Sequence, residues 1–236
     1  MNLTDRLYWL KYWENYEYEK VPSKVPFEKF LPRFNGIKSF IEIGGFPGVY
    51  ASMFYKRGCY DVSVLDFFID QKTINHFEEI NDIPKNSISC IESDFFAFKT
   101  KKRYDLVFSN GFIEHFDNTK EVISRHCELL SDSGKLLIIL PNFLGLNGFI
   151  QYLFDRETLY AHNLNSMKIP FLKKIVTELG LKNIQLEYTR KPMVWLEPKV
   201  KNAVWRKFVK AISFGIKLFP IKCRLLSPYI VIYAEK

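Results

Sequence analysis

Cysteine is scarce in this chain of 236 residues. The four present, Cys59, Cys90, Cys127 and Cys223, stand singly with no CxxC pair. That spacing excludes a zinc knuckle and a thioredoxin-like redox centre, and leaves reduced, buried thiols of a cytoplasmic protein as the expectation. No metal site is expected either. Long apolar runs are missing too: no stretch of 18 uncharged apolar residues occurs, so no transmembrane helix is expected. The N-terminus has no basic stretch followed by an apolar run, which argues against a secretory signal. Acid is absent from one long segment. Between Pro198 and Ala234 stand eight basic residues (Lys199, Lys201, Arg206, Lys207, Lys210, Lys217, Lys222 and Arg224) and no Asp or Glu. The remaining 26 basic residues balance 26 acidic ones, so the formal net charge of +8 resides in that segment. A basic excess confined in this way points to a local anionic partner.

What is present reads as a globular chain: 47% apolar, 25% charged, and 22 Phe to fill a core. Residues 3–20 are aromatic and charged with helical spacing, and Phe27–Phe34 reads as a short amphipathic helix. Strands are expected at Ser39–Ile43, Val62–Leu65, Ile88–Ile91, Leu106–Ser109, Lys135–Leu140, Ile184–Tyr188 and Tyr229–Ala234. Helical patterns separate them at Val49–Arg57, Lys120–Leu130, Pro170–Leu179 and 199–220. Strands alternating with helices imply an α/β fold with a mostly parallel sheet covered on both faces. Residues 142–169 show no clear period. The simplest organisation is one domain over 1–236, with a helical cap at 1–36, a lid inserted at 142–169 and a basic amphipathic insert at 195–226.

The turn after the first strand is Glu42-Ile43-Gly44-Gly45-Phe46-Pro47-Gly48. A glycine-rich turn leading into a helix lets backbone N–H groups approach a ligand. The dinucleotide fingerprint needs Gly at 44, 46 and 49; Phe46 and Val49 break it, which argues against a nicotinamide or flavin enzyme. Asp66 closes the second strand about twenty residues on, where a carboxylate can accept from both hydroxyls of a ribose. Asp94 follows the third strand, placed to take an adenine amino proton, with Phe67 or Phe95 packing on the ring. The fourth strand runs into Asn110-Gly111-Phe112-Ile113-Glu114-His115. For Asp66 and Asp94, helix or turn capping is the competing structural role.

Taken in order, EIGGFPG, the Asp66 strand end, SDFFAF, YDLVFSNGFIEHF and LLSDSGKLLIILPNF resemble the successive motifs of class I S-adenosylmethionine-dependent methyltransferases. The resemblance spans about residues 38–143, and TELGLKNIQLEY and SPYIVIYAEK resemble the last two strands. It implies a Rossmann-like seven-stranded sheet with the last strand antiparallel, and S-adenosyl-L-methionine as cofactor. It further implies that Glu42, Gly44, Gly45 and Gly48 shape the methionine pocket, that Asp66 holds the ribose and Asp94 the adenine amine, and that Asn110 and Phe112 lie beside the sulfonium. The family's loop reads acid-x-G-x-G-x-G, and here Phe46 takes the middle glycine's place. The Asn/Asp-Pro-Pro-aromatic motif of nucleic-acid amino methyltransferases is absent, and IEHF looks more like small-molecule and glycan O-methyltransferases.

Transfer to an alcohol calls for a group that takes its proton, a task suited to histidine. His115 lies just past the fourth strand and His162 in the expected lid; His76 and His126 fall in helices away from the strand ends. In the basic segment Trp205, Phe208, Val209, Ile212 and Ile216 form a helical stripe. With basic neighbours, it fits peripheral contact of 199–224 with an anionic membrane, against a packed helix or nucleic-acid binding. The expectation is methylation of a small-molecule or glycan/lipid-linked acceptor at oxygen. The alternatives are an RNA methyltransferase or a non-catalytic module of the same fold.

Overall fold

The computed structural model describes residues 4, 6–13, 20–189, 191–196, 202–218 and 221–236. Lys199 and Lys201 therefore lie outside the described residues. Seven strands form one sheet: β1 (Ser39–Ile43), β2 (Asp61–Asp66), β3 (Ile88–Glu92), β4 (Tyr104–Asn110), β5 (Leu130–Pro141), β6 (Lys182–Tyr188) and β7 (Tyr229–Glu235). Their spatial order is β3-β2-β1-β4-β5-β7-β6. Strands β1 to β5 pair in parallel, whereas β7 runs antiparallel to both β5 and β6. The helices are α1 (Arg6–Trp13), α2 (Val49–Lys56), α3 (Gln71–Ile80), α4 (Thr119–Glu128), α5 (Leu146–Phe154), α6 (Arg156–Tyr160), α7 (Ile169–Glu178) and α8 (Ala203–Ile216).

The alternation of side chains along each strand builds two cores. Ile41, Val107, Leu136, Ile138 and Ile232 face one side and pack with Val122 of α4 and Leu172 and Val176 of α7. Phe40, Val62, Phe108, Leu137 and Tyr233 face the other and pack with Phe54 of α2 and with Phe27, Phe30 and Phe34. This second core is built from aromatic contacts, such as Phe40–Phe54 at 4.5 Å and Phe30–Tyr233 at 5.1 Å between centroids. It holds six of the 22 Phe. The segment Glu28–Phe34 is a 3-10 helix rather than an α-helix. Pro32 inside it offers no N–H and would clash with an α-helical carbonyl, so the turn tightens. The four thiols are free; Cys59 is buried and the other three are half-buried.

Two insertions depart from expectation. Residues 142–169 are largely helical, made of α5, α6 and a 3-10 turn at Leu164–Met167. Between β6 and β7, α8 packs Val209, Ile212 and Ile216 onto Ile150, Leu146 and Phe154 of the first insertion. Part of the apolar stripe read from the sequence is therefore buried, while Val204, Trp205, Phe208, Phe214 and Leu218 remain exposed. Asn142 ties the insertions together by donating to the carbonyls of Arg224 and Ser227. Among the described residues no helix is long and apolar enough to cross a membrane.

Candidate active site

The strand order reverses between β1 and β4, and the crevice outside the C-terminal ends of such strands is where open α/β sheets take ligands. Two cavities of about 560 and 530 Å³ meet there, sharing Trp9, Trp13, Gly44, Gly111 and His115. Both fall within the size of small-molecule sites.

The β1–α2 turn forms the floor. Gly44 sits at φ +62°, and a Cβ there would overlap the Phe112 ring. Gly48 sits at φ +92° as the cap of α2. Position 46 has no positive φ, so a side chain is tolerated where the family has glycine. Phe46 is buried against Trp13 and Phe68, and its N–H donates to Asp66 Oδ2 at 3.1 Å. Glu42 caps α2: its buried Oε2 accepts from the N–H groups of Tyr50 (3.1 Å) and Ala51 (2.8 Å). Burial pushes its carboxyl up to about 8.

The first cavity is lined by Asp66, Phe67, Asp94, Phe95 and Phe112 among others. Asp66 is buried; its Oδ1 accepts from Phe68 N–H at 3.2 Å, and burial raises its carboxyl to about 6 against the pull of these backbone bonds. Asp94 is exposed, with Oδ1 accepting from Phe96 and Ala97 N–H. It thus caps its own turn as well as lining the cavity. Two carboxylates beside aromatic rings in a space of this size suit a nucleoside with ribose hydroxyls and a purine amine, so the donor set fits S-adenosylmethionine.

The second cavity is lined by Glu42, Gly45, Phe46, Asn110, Glu114 and His162, and by aromatic residues of several segments. Trp195 stacks on Tyr229 at 5.3 Å. His115 is buried, and burial together with the neighbouring His162 holds its imidazole well below the usual value, hence neutral. Its Nδ1 lies 3.1 Å from the Ala161 carbonyl, and the His162 Nδ1 lies 2.5 Å from the Thr158 carbonyl. A carbonyl only accepts, so both Nδ1 atoms carry the proton. The two rings lie 4.5 Å apart.

Of the sequence-derived site residues, the structure brings all but Gly48 to these cavities. A Cβ on Gly48 would stand 3.3 Å from Val64 Cγ2 and 3.5 Å from Ile88 Cδ1, so its constraint comes from the sheet and from its positive φ. His126 is buried between Val122 O and Ser109 Oγ, pushed down to about 4 by burial, and is a packing residue. His76 is exposed on α3. Residues not anticipated are Trp9 and Trp13, one turn apart on α1, and Glu114, whose place beside His115 was the available signal.

A seven-stranded sheet in this order, with an acid-ended β2 and a glycine turn at the crevice, is the Rossmann-like fold of class I S-adenosylmethionine-dependent methyltransferases. The pattern of the methyltransferase domain family matches residues 12–186, and the chain belongs to that family. Solved structures agree in fold. A SAM-dependent methyltransferase from Archaeoglobus fulgidus is 19% identical, with 89% of this chain and 90% of that one covered at a TM-score of 0.58. Phosphoethanolamine N-methyltransferase 2 of Haemonchus contortus, solved with phosphomonomethylethanolamine and S-adenosylhomocysteine, is 17% identical, covering 89% of this chain and 52% of that one at 0.61. An O-methyltransferase family protein from Burkholderia thailandensis is 15% identical, covering 86% and 52% at 0.54. No curated protein matches the chain in sequence.

Proposed function

We propose that this methyltransferase acts on a hydroxyl of a small-molecule or glycan acceptor, working against an anionic lipid surface. The observation that carries the reading is the pair of abutting cavities, one with nucleoside-binding chemistry and one that is aromatic with a histidine-carboxyl end. S-adenosylmethionine, when bound, supplies a methyl group already activated on a sulfonium, so the chain's tasks are positioning and disposal of the acceptor's proton. Asp66 accepts from the ribose, Asp94 from the adenine amine, and Phe67 and Phe95 flank the base. Glu42, Gly44, Gly45 and Phe46 bound the methionine end, with Asn110 and Phe112 near the sulfonium. Gly48 contributes by setting the start of α2. Aromatic faces such as Trp195 and Tyr229 suit a ring carrying hydroxyls, and the neutral His115 with His162 and Glu114 forms the end that deals with the released proton. The α1 cap, the α5–α6 lid and the α8 insert serve acceptor binding and lipid contact.

The test is calorimetric titration of the protein with S-adenosylmethionine, followed by incubation of hydroxylated sugars and lipid-linked glycans with methyl-labelled cofactor. Stoichiometric binding and label recovered as a methoxy group are expected. Absence of cofactor binding overturns the enzyme reading, and label recovered on nitrogen overturns the oxygen assignment.

A further inference from the structure

Glu114 is fully buried, and neither of its carboxyl oxygens has a hydrogen-bond partner among the described residues. Such an orphan costs the full desolvation of the group unless something fills its coordination. What faces it is unusual. One ligand-capable atom each from Glu114, His115 and His162 lie within 4.8 Å of one another, the one such set among the described residues. Both imidazoles have their Nδ1 atoms at backbone carbonyls, Ala161 and Thr158. That arrangement fixes a metal-binding tautomer, with the lone pair on Nε2, and is the usual support for a metal-ligating histidine. Glu114 and His115 come from the segment after β4 and His162 from the α6 side of the lid, so the set closes only on folding. Sequence spacing therefore gave no reason to expect it.

We infer that Glu114, His115 and His162 bind a first-row divalent transition-metal cation at the acceptor end of the second cavity. Two imidazoles and a carboxylate suit such an ion better than Mg²⁺ or Ca²⁺, which prefer all-oxygen sets. Three protein ligands leave positions open toward the cavity. An acceptor with two neighbouring oxygens, a vicinal diol or a hydroxy acid, would fill them. The cation would then acidify the bound hydroxyl, whose proton passes to solvent. This rests on the methyltransferase reading, narrows its acceptor to a chelating one, and gives the two histidines a ligand's role in place of a proton acceptor's.

The experiment is titration of chelator-stripped, untagged protein with Co²⁺ followed by visible absorption, with S-adenosylmethionine affinity measured in parallel on the same metal-free protein. One equivalent is expected to bind saturably with ligand-field bands, and affinity should fall at least tenfold in Glu114→Gln and in His162→Ala, both checked for folding by circular dichroism. His162 is half-buried in the lid, so its variant keeps the test open if the Glu114 variant misfolds. No saturable binding by wild type, a strong thiolate charge-transfer band, or undiminished affinity in the folded variants would overturn the inference. Cofactor binding without Co²⁺ binding would sink the metal site alone; Co²⁺ binding without cofactor binding would uphold the site and sink the methyltransferase reading of the cavity.

Discussion

Phe46 occupies the place of a family glycine, yet its backbone needs no glycine and its ring is buried between Trp13 and Phe68. Phe46→Gly should therefore destabilise rather than relax the turn, by about 3–5 kcal/mol as for other large core truncations, read as a lower Tm. An unchanged Tm would show that the ring is dispensable. Asp66 gives a pH prediction. Its folded value of about 6 lies above the ordinary 3.8, so the ligand-free fold prefers the protonated acid. This group's contribution to stability is thus greatest at low pH and declines as pH rises from about 4 through 6. Ribose hydroxyls need the ionised acceptor, so cofactor affinity should weaken as pH falls through about 6. Asp66→Asn should bind about ten- to a hundredfold more weakly near neutrality and lose that pH dependence. Calorimetry over pH 5 to 7.5 checks both, and a flat wild-type profile would count against ribose binding at Asp66.

Helix α8 packs Val209, Ile212 and Ile216 onto the α5–α6 insertion, while Trp205 and Phe208, though their rings meet Phe154 of α5, stay exposed near Arg206, Lys207 and Lys210. Each basic residue near an anionic bilayer contributes about 1 kcal/mol. Co-sedimentation with anionic vesicles is expected, reduced by salt and by changing Arg206, Lys207 and Lys210 to Glu. Failure to bind at low salt would leave α8 as a packed insert only. The sequence announced the helix but not its orientation, because Val209, Ile212 and Ile216 share a stripe with Trp205 and Phe208, and only the fold decides that Val209 is buried while Trp205 and Phe208 stay exposed beside Phe154. The α5–α6 insertion was harder still. Helices of nine and five residues give too few turns for a period to emerge, and the polar Asn147, Gln151 and Thr158 are buried in them. Strands β4 and β5 were legible because residues buried on both faces form continuous apolar runs, Leu106-Val107-Phe108 and Leu136–Leu140. Strand β5 begins five residues earlier than the strand expected at Lys135–Leu140, through Leu130-Ser131-Asp132-Ser133-Gly134, where pairing with β4 carries a register shift. Among site residues, Asp66 and the glycine turn could be read from position relative to a strand. Glu114 was signalled only by its place beside His115, because burial without a partner is a property of the folded surroundings.

Ligand binding should be felt by the whole molecule, because the two cavities draw on α1, the ends of five strands and both insertions. With S-adenosylmethionine at about 100 times its Kd, linkage adds about 2.7 kcal/mol. For a chain of this size that is a rise of about 5–10 °C in Tm, measurable by calorimetric scanning. A smaller shift at confirmed saturation would mean that the site unfolds apart from the sheet.

Strand β7 is the last strand in the chain, but it is not at the edge of the sheet: it lies between β5 and β6 and pairs with both. Synthesis on the ribosome therefore delivers the middle of this half of the sheet last. Until Tyr229–Glu235 emerges, the nascent chain holds β5 and β6 apart with two open, hydrogen-bonding edges, each a template for pairing with a neighbouring chain. The exposure lasts through translation of the whole basic insert, so the +8 excess carried there stays with the chain while its edges are unprotected and sets like charge against like between neighbours at that stage.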